Sequence, residues 1–257
     1  MDRSILTQDK NLKDDGKWLF TKYDAFGRSV YSGLFTSTLS RSSLQLAVDS
    51  YISGNTSNLS NKESRTTRVS SIGGVSINYS NNAYPTSNLE VLTVNYYDDY
   101  NFTDSNKPAT PSSIVGQTVT MRTKGFSTAS WTKTLGASSW TKNYTYYDER
   151  GGVIYVYENN YLGGFTDSKS KLDFRGKLES TTTIHKRLSS SVALTIKDRF
   201  EYDHTERPTS HYQIVNSNME QRIAKNNYNE LGMLTKKEIG GINGIALQSL
   251  DYTYDIQ

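Results

Sequence analysis

Three histidines, His185, His204 and His211, are the whole imidazole supply of this 257-residue chain, and it has no cysteine. Zinc sites draw their ligands from short fixed spacings. His204 and His211 stand seven apart with Pro208 between them, which matches none of these. Without thiols there is no disulfide, thiolate metal site or cysteine nucleophile. No Gly-x-Ser-x-Gly elbow, phosphate-binding glycine loop or zinc-helix motif occurs either. Acids are paired at Asp14-Asp15 and Asp98-Asp99. A retaining glycosidase needs carboxylates roughly 5 Å apart across a cleft, whereas adjacent strand residues point to opposite faces. The chemistry left to the side chains is aromatic. Trp131, Trp140, Tyr155, Tyr157 and Tyr161 could present a platform for sugar rings, or pack across strands as Tyr and Trp do in sheets. No catalytic residue, metal site or cofactor is expected, and no enzyme activity.

What recurs is a turn. "YDAFGR" places Tyr23, Asp24, Gly27 and Arg28. "YYDERGG" places Tyr147, Asp148 and Gly151, and "LDFRGK" places Leu172, Asp173 and Gly176. "YDHTER" gives Tyr202, Asp203 and Arg207, with Glu206 in the glycine's place. "YNELGM" gives Tyr228, Asn229 and Gly232, and the last copy is Tyr254-Asp255. The anchors 147, 172, 202, 228 and 254 are separated by 25, 30, 26 and 26 residues. "NYYDDYNF" is a weaker copy, with Tyr97-Asp98 and no glycine. The unit is an aromatic, Asp or Asn, two variable residues, Gly, then Arg or Lys.

That spacing has a physical reason. Asp or Asn opening a type I turn hydrogen-bonds the backbone ahead, and a glycine three residues on takes the left-handed conformation. Such a turn followed by an αL residue makes a hairpin with a G1 bulge. Gly27, Gly151, Gly176 and Gly232 are therefore expected at positive φ, and Glu206 in a different kind of turn. Alternating segments such as "NYTYY" and "VIYVYE" flank the turns with β-formers. Each unit reads as strand, turn, strand, too small to bury an apolar face unless neighbours stack. Repetition of the acids argues for structure, since a catalytic site is not copied five times.

Composition sets the bounds. Hydrophobic residues make up 35% and nineteen tyrosines and three tryptophans are present, too many for an unfolded polar tract. The net charge of +3, from 29 basic and 26 acidic residues, is interspersed, which describes a mixed solvated surface and not a nucleic-acid face. No run approaches the length of a membrane span, and "MDRSILTQDK" has no apolar signal region. Residues 1–16 read as loose, with a turn at "KDDGK", and 17–36 as a hairpin. Leu44, Val48, Tyr51 and Ile52 have helical spacing, predicting one short helix near residues 41–53, capped by Ser40 or Ser42 and ended by Gly54. Residues 54–71 and "SNKPATPSS" read as loops. The chain divides into a less regular β region over 1–140 and a repeat sheet over 141–257, in one continuous unit. The fold class is all-β: antiparallel hairpins in a long, twisted, curved sheet.

The units, with "NYLGG", "NNYNELG" and "RFEYDH", resemble the YD repeats of the RHS-repeat superfamily, in particular RHS-repeat proteins of Bacteroidetes. The resemblance covers most of the chain and is strongest from about 72 to 257. It implies a β-sheet spiralling into a hollow shell, which in that family encloses a toxic C-terminal domain or presents a surface for cell contact. It also implies a bacterial, secreted or cell-surface location as part of a larger protein. The family's Asp-Pro-x-Gly self-cleavage motif has no counterpart, because no proline here follows an aspartate. The expected partners are the remaining repeats and the cargo of a parent polypeptide. The alternative is a carbohydrate-binding or adhesion module reading cell-surface glycans through Trp131, Trp140, Tyr155 and Tyr157. Two departures stand out within the units: Gly152 and Met233 replace the basic residue. The stop at Gln257, soon after Tyr254, suggests an internal piece of a longer chain, leaving an unpaired sheet edge at "LDYTYDIQ" that pairs with a neighbour or frays.

Overall fold

The computed structural model describes residues 3–55, 57, 61–241 and 245–255. The chain begins with β1 (Leu6–Thr7), helix α1 (Lys10–Asp14) and the hairpin β2 (Lys17–Tyr23) and β3 (Ser29–Thr36). Helix α2 (Arg41–Gly54) and the small hairpin β4 (Arg65–Ile72) and β5 (Val75–Tyr79) are inserted before β6 (Leu89–Asp98). Another insertion carries β7 (Ser113–Ile114) and β8 (Gln117–Thr118). The rest is a meander: β9 (Thr123–Lys133), β10 (Trp140–Tyr147), β11 (Val153–Asn159), β12 (Gly163–Leu172), β13 (Leu178–Leu188) and β14 (Leu194–Tyr202). It continues through β15 (Pro208–Val215), β16 (Gln221–Tyr228), β17 (Leu234–Ile239) and β18 (Gln248–Asp251). Fourteen strands form one open antiparallel sheet in the order β1-β2-β3-β6-β9 and then β10 to β18 in sequence.

The two compact units are residues 1–110 with 121–144, and 111–120 with 145–257. In the first, alternation sends Trp18, Phe20 and Lys22 of β2 to one face, beside Phe35, Gly33 and Tyr31 of β3 in register. Val94 and Tyr96 of β6 pair with Trp131 and Ala129 of β9, which pair with Lys142 and Tyr144 of β10. This face is covered by the inserted segments, and the core lies there: Phe20, Tyr31, Tyr79, Val94, Tyr96, Trp131 and Tyr144 are all buried. Inward rings form a column. Tyr79 stacks on Tyr96 at 5.3 Å, Tyr96 on Phe102 at 4.2 Å, and Phe102 on Tyr144 at 6.2 Å. Arg65 lies 4.6 Å above Tyr96 and Lys142 4.4 Å above Trp131, placing cations on ring faces. Desolvation pushes the Tyr96 hydroxyl up to about 12.

The second unit is built differently. No residue of β13, β14, β16, β17 or β18 is buried. Over these strands both faces are half-exposed, so cross-strand pairs must supply what a core supplies elsewhere. Arg199 bonds Glu220 at 2.8 Å and lies 4.0 Å above the Tyr212 ring, and Arg222 meets Glu238 at 3.0 Å. Each exposed pair contributes roughly 0–1 kcal/mol, so they act as a network or not at all. The strap at 111–120 also joins this unit. The Gln117 amide donates to the Ser170 carbonyl at 2.8 Å and accepts from the Leu172 N–H at 2.9 Å, imitating a strand neighbour.

Two expectations need correcting. Residues 10–14 are helical, capped by the Asp9 side chain accepting from the Leu12 N–H at 2.8 Å. Residues 65–71, expected as loop, belong to β4, where Arg65, Ser70, Ser71 and Ile72 pair with β5. The helix expected near residues 41–53 is α2, with Ser40 capping its start by accepting from the Ser43 N–H and Gly54 as its last residue before the Asn55 C-cap.

Candidate functional site

Six turns share one geometry, opened by Asp24, Asp148, Asn160, Asp173, Asp203 and Asn229. In each, the opening N–H donates to the carbonyl four residues on, and the opening carbonyl accepts from the N–H three residues on. A side-chain oxygen of the same residue accepts the N–H at the fourth position at 2.7–2.9 Å. The third position is left-handed: φ is +73° at Gly27, +84° at Gly151, +86° at Gly176 and +81° at Gly232. The Asn160 turn, within "NYLGG", falls between the 148 and 173 turns and so lies at the opposite strand ends.

Glu206 corrects the expectation of a different turn. Its φ is +69° and its N–H donates to the Asp203 carbonyl at 2.9 Å, as the glycines do. Asp203 still grips Thr205 and Arg207, each at 2.9 Å, so the turn tolerates the αL cost of about 1–2 kcal/mol. Glu206 also pairs with Arg175 of the preceding turn. Gly176→Val should therefore destabilise by about 1–2 kcal/mol, and Glu206→Gly should stabilise by up to about 1 kcal/mol once the lost pair is counted. Urea unfolding measures both; a shift of the same sign for the two variants would show that φ is not the governing term.

The turns are then tied to one another. The repeat tyrosine donates its hydroxyl to a carbonyl five residues past the Asp or Asn of the preceding unit. Tyr97 bonds Ser29 at 3.1 Å, Tyr202 bonds Leu178 at 2.8 Å, Tyr228 bonds Pro208 at 2.9 Å and Tyr254 bonds Leu234 at 2.9 Å. The basic residue just before that carbonyl lies over the same tyrosine ring: Arg28 over Tyr97 at 4.4 Å, Lys177 over Tyr202 at 4.8 Å and Arg207 over Tyr228 at 4.6 Å. It also returns to its own turn, with Arg28 on Asp24 at 2.7 Å and Arg207 on Asp203 at 2.6 Å. Tyr23 is held likewise, by the Ser4 carbonyl at 2.9 Å and Arg3 at 5.3 Å. At Asp148 both halves differ together: Gly152 stands for the cation and Leu172 for the tyrosine. A β-carbon on Gly152 would lie 2.6 Å from Leu172 Cδ1, so the leucine fills the space the glycine leaves.

Asp98, in the weak copy, opens no such turn. It accepts from Arg28 at 2.8 Å and from the Gly125 N–H at 2.7 Å. The Arg28 hydrogen bond, against some desolvation, holds its carboxyl below the usual range. Stability from a lowered carboxylate is complete above its unfolded pKa and lost as pH falls through the folded one. Asp98→Asn should flatten the acid limb of a stability–pH curve; an unchanged limb would deny Asp98 that role.

The most buried charges were not marked by any motif. Lys22 and Glu63 side chains are 0% exposed and meet at 2.9 Å. Lys22 also donates to Asn81 Oδ1 at 2.6 Å and the Ala83 carbonyl at 2.8 Å. Glu63 accepts from the N–H groups of Asn82 and Ala83, both at 2.9 Å, and from Ser80 and Tyr31 hydroxyls. Burial lowers the Lys22 pKa, with Glu63 opposing, and burial beside Glu63 drives the Tyr31 phenol far up. The cluster is closed to solvent and clamps loops before β4 and after β5 onto β2 and β3.

The aromatic set divides between packed and open positions. Trp131 is 1% exposed and Tyr155 6%, both in packed faces, because their strand parity turns them inward. Trp140 and Tyr157 are half-buried, and Tyr161 is 52% exposed. The pair Asp98-Asp99 diverges: Asp98 goes to Arg28, and Asp99 to Arg65 at 3.0 Å. His211 meets Asp198 at 2.7 Å, His185 meets Thr166 at 2.9 Å, and His204 is exposed. Among the described residues no three His, Asp or Glu side chains gather as for a metal, and no helix is long and apolar enough to cross a membrane. A groove of about 1070 Å³ runs beneath α2, lined by Trp18, Leu44, Val48, Ile52, Arg41 and Asp49 among others. β18 is the last strand, with Leu250 and Tyr252 each 38% and Tyr254 49% exposed; Ile256 and Gln257 lie outside the described residues. No protein-family model matches the chain, and no curated protein matches it.

Proposed function

We propose that the chain is a structural segment of an RHS/YD-type β-shell, walling off or displaying a toxin or effector cargo of a parent polypeptide in interbacterial competition or cell contact. The observation that carries this reading is the second unit: consecutive hairpins in one layer, with no buried residue in β13, β14, β16, β17 or β18, the turns at 173, 203 and 229 each tied to the following unit by the same tyrosine. A sheet wet on both sides suits a wall better than a catalytic core. On this reading it works as part of a larger, secreted or cell-surface protein and has no enzyme activity. Two tests bear on it. The surrounding coding sequence should hold further turns of this kind and an Asp-Pro-x-Gly core before a variable domain. Hydrolase assays should be blank; turnover abolished by a point change in a cleft would overturn the reading.

The half-exposed Trp140 and Tyr157 and the exposed Tyr161 keep a glycan-binding module as the second reading. It predicts glycan-array binding lost on Trp140→Ala, with folding unchanged.

A further inference from the structure

Lys22 is the only lysine buried among the described residues, and its surroundings hold the three parts of an amide-forming reaction. Its side chain and that of Glu63 are 0% exposed. Nζ donates to Glu63 Oε1 at 2.9 Å, to Asn81 Oδ1 at 2.6 Å and to the Ala83 carbonyl at 2.8 Å. A carboxamide C=O is about 1.2 Å long, so Nζ lies within about 4 Å of Asn81 Cγ. The carboxamide is oriented: Nδ2 donates to the carbonyl of the exposed Thr86 at 2.8 Å, which turns Oδ1 toward the lysine. An amine, a carboxamide carbon and a carboxyl group therefore meet around one nitrogen.

Each part suits its role. The neutral amine is the nucleophile, and burial lowers the Lys22 pKa against the opposing effect of Glu63. Glu63 touches the same Nζ, as a general base must, and the Asn82 and Ala83 N–H groups fix its position. The Tyr31 ring lies 5.2 Å from Nζ, and burial keeps water, the competing nucleophile, away from the amine. Reacting groups held this close need no encounter in solution. A bond that forms once per molecule also needs no fast turnover.

We propose that Lys22 and Asn81 join in an isopeptide bond, with Glu63 as the proton carrier. Glu63 takes a proton from the ammonium and so frees the lone pair of Nζ. Nζ bonds Cγ, and the Cγ–Nδ2 bond breaks with its electron pair on Nδ2. Glu63 relays two protons in all from Nζ to Nδ2, which then leaves as ammonium past Thr86. The product is a secondary amide; nothing is oxidised or reduced, and no co-reactant is consumed. The bond ties β2 to the loop after β5, 59 residues along the chain, and so fixes the covering segments to the sheet. The chain that still holds the ion pair is the form before this step. The step depends on this cluster alone and not on the shell reading.

Intact mass spectrometry of the full chain decides. Folded wild type should become lighter by one ammonia. A tryptic digest should then hold a branched peptide that joins Lys22 to Asn81 and stays uncut after Lys22. Asn81→Asp should instead lose one water, since a carboxyl group replaces the carboxamide. Glu63→Gln, Lys22→Arg and Asn81→Ala should keep the full mass of their sequences. The wild-type measurement stands even if these variants misfold by circular dichroism. Folded wild type still at full mass after long incubation would overturn the proposal. So would ammonia lost without a Lys22 branch, which would mark cyclisation of Asn81 on its own backbone. Water lost from wild type would overturn it too, marking Lys22 joined to Glu63. Ammonia loss undiminished in Glu63→Gln would overturn the role given to Glu63.

Discussion

Lys22→Met should destabilise the folded chain by about 3–5 kcal/mol, because it strands a buried carboxylate. Glu63 would keep the Asn82 and Ala83 amides and lose its ammonium partner at 2.9 Å. The Asn81 and Ala83 oxygens would lose their donor as well. Lys22→Met with Glu63→Gln should recover a good part of the loss, since a neutral amide can still accept those N–H groups and carries no unpaired charge. Urea unfolding of the single and double variants measures this. A Lys22→Met variant within about 1 kcal/mol of wild type would mean that the pair is solvated in solution.

Trp131→Ala is expected to cost about 3–5 kcal/mol by opening a cavity under the aromatic column. The indole lies 5.0 Å from Tyr96 and 6.3 Å from Phe102, with Lys142 on its face. Its Nε1 has no hydrogen-bond partner, so Trp131→Phe should cost much less than the alanine variant. A residue whose value lay in an exposed sugar-binding face would show the reverse: little change in stability and a loss of glycan binding. Thermal and urea unfolding distinguish the two.

These two sites also show what could and could not be read from the chain. The turns were legible because their cause is local: an Asp or Asn bonds backbone within four residues, and glycine answers to φ. Lys22 and Glu63 were not, being 41 residues apart, with Glu63 set among Ser, Thr and Asn residues that look like loop. Strand alternation groups Trp131 with Ala129, but which face is covered is decided by insertions far away in sequence. Helix α1 is not legible in the sequence, because five mostly polar residues carry no periodicity and Asp9 as cap is its only local sign. In sequence the tyrosine stands beside its own turn, whereas its hydroxyl serves the preceding unit. That role emerges only when strands are set side by side, since Tyr202 and Leu178 are 24 residues apart. Gly152 in the cation's place and Leu172 in the tyrosine's belong to different units in sequence, and the geometry makes them one departure.

That coupled departure offers the most direct test of the claim that turn, cation and ring form one interlock joining successive hairpins. Gly152→Arg alone should destabilise by about 1–3 kcal/mol, because its β-carbon would meet Leu172 at 2.6 Å. Gly152→Arg with Leu172→Tyr rebuilds the arrangement found at Arg207 and Tyr228, and should return stability to within about 1 kcal/mol of wild type. The measurement is a double-mutant cycle from urea unfolding. A strongly favourable coupling is the predicted result; a double variant as unstable as the sum of its singles would contradict the interlock.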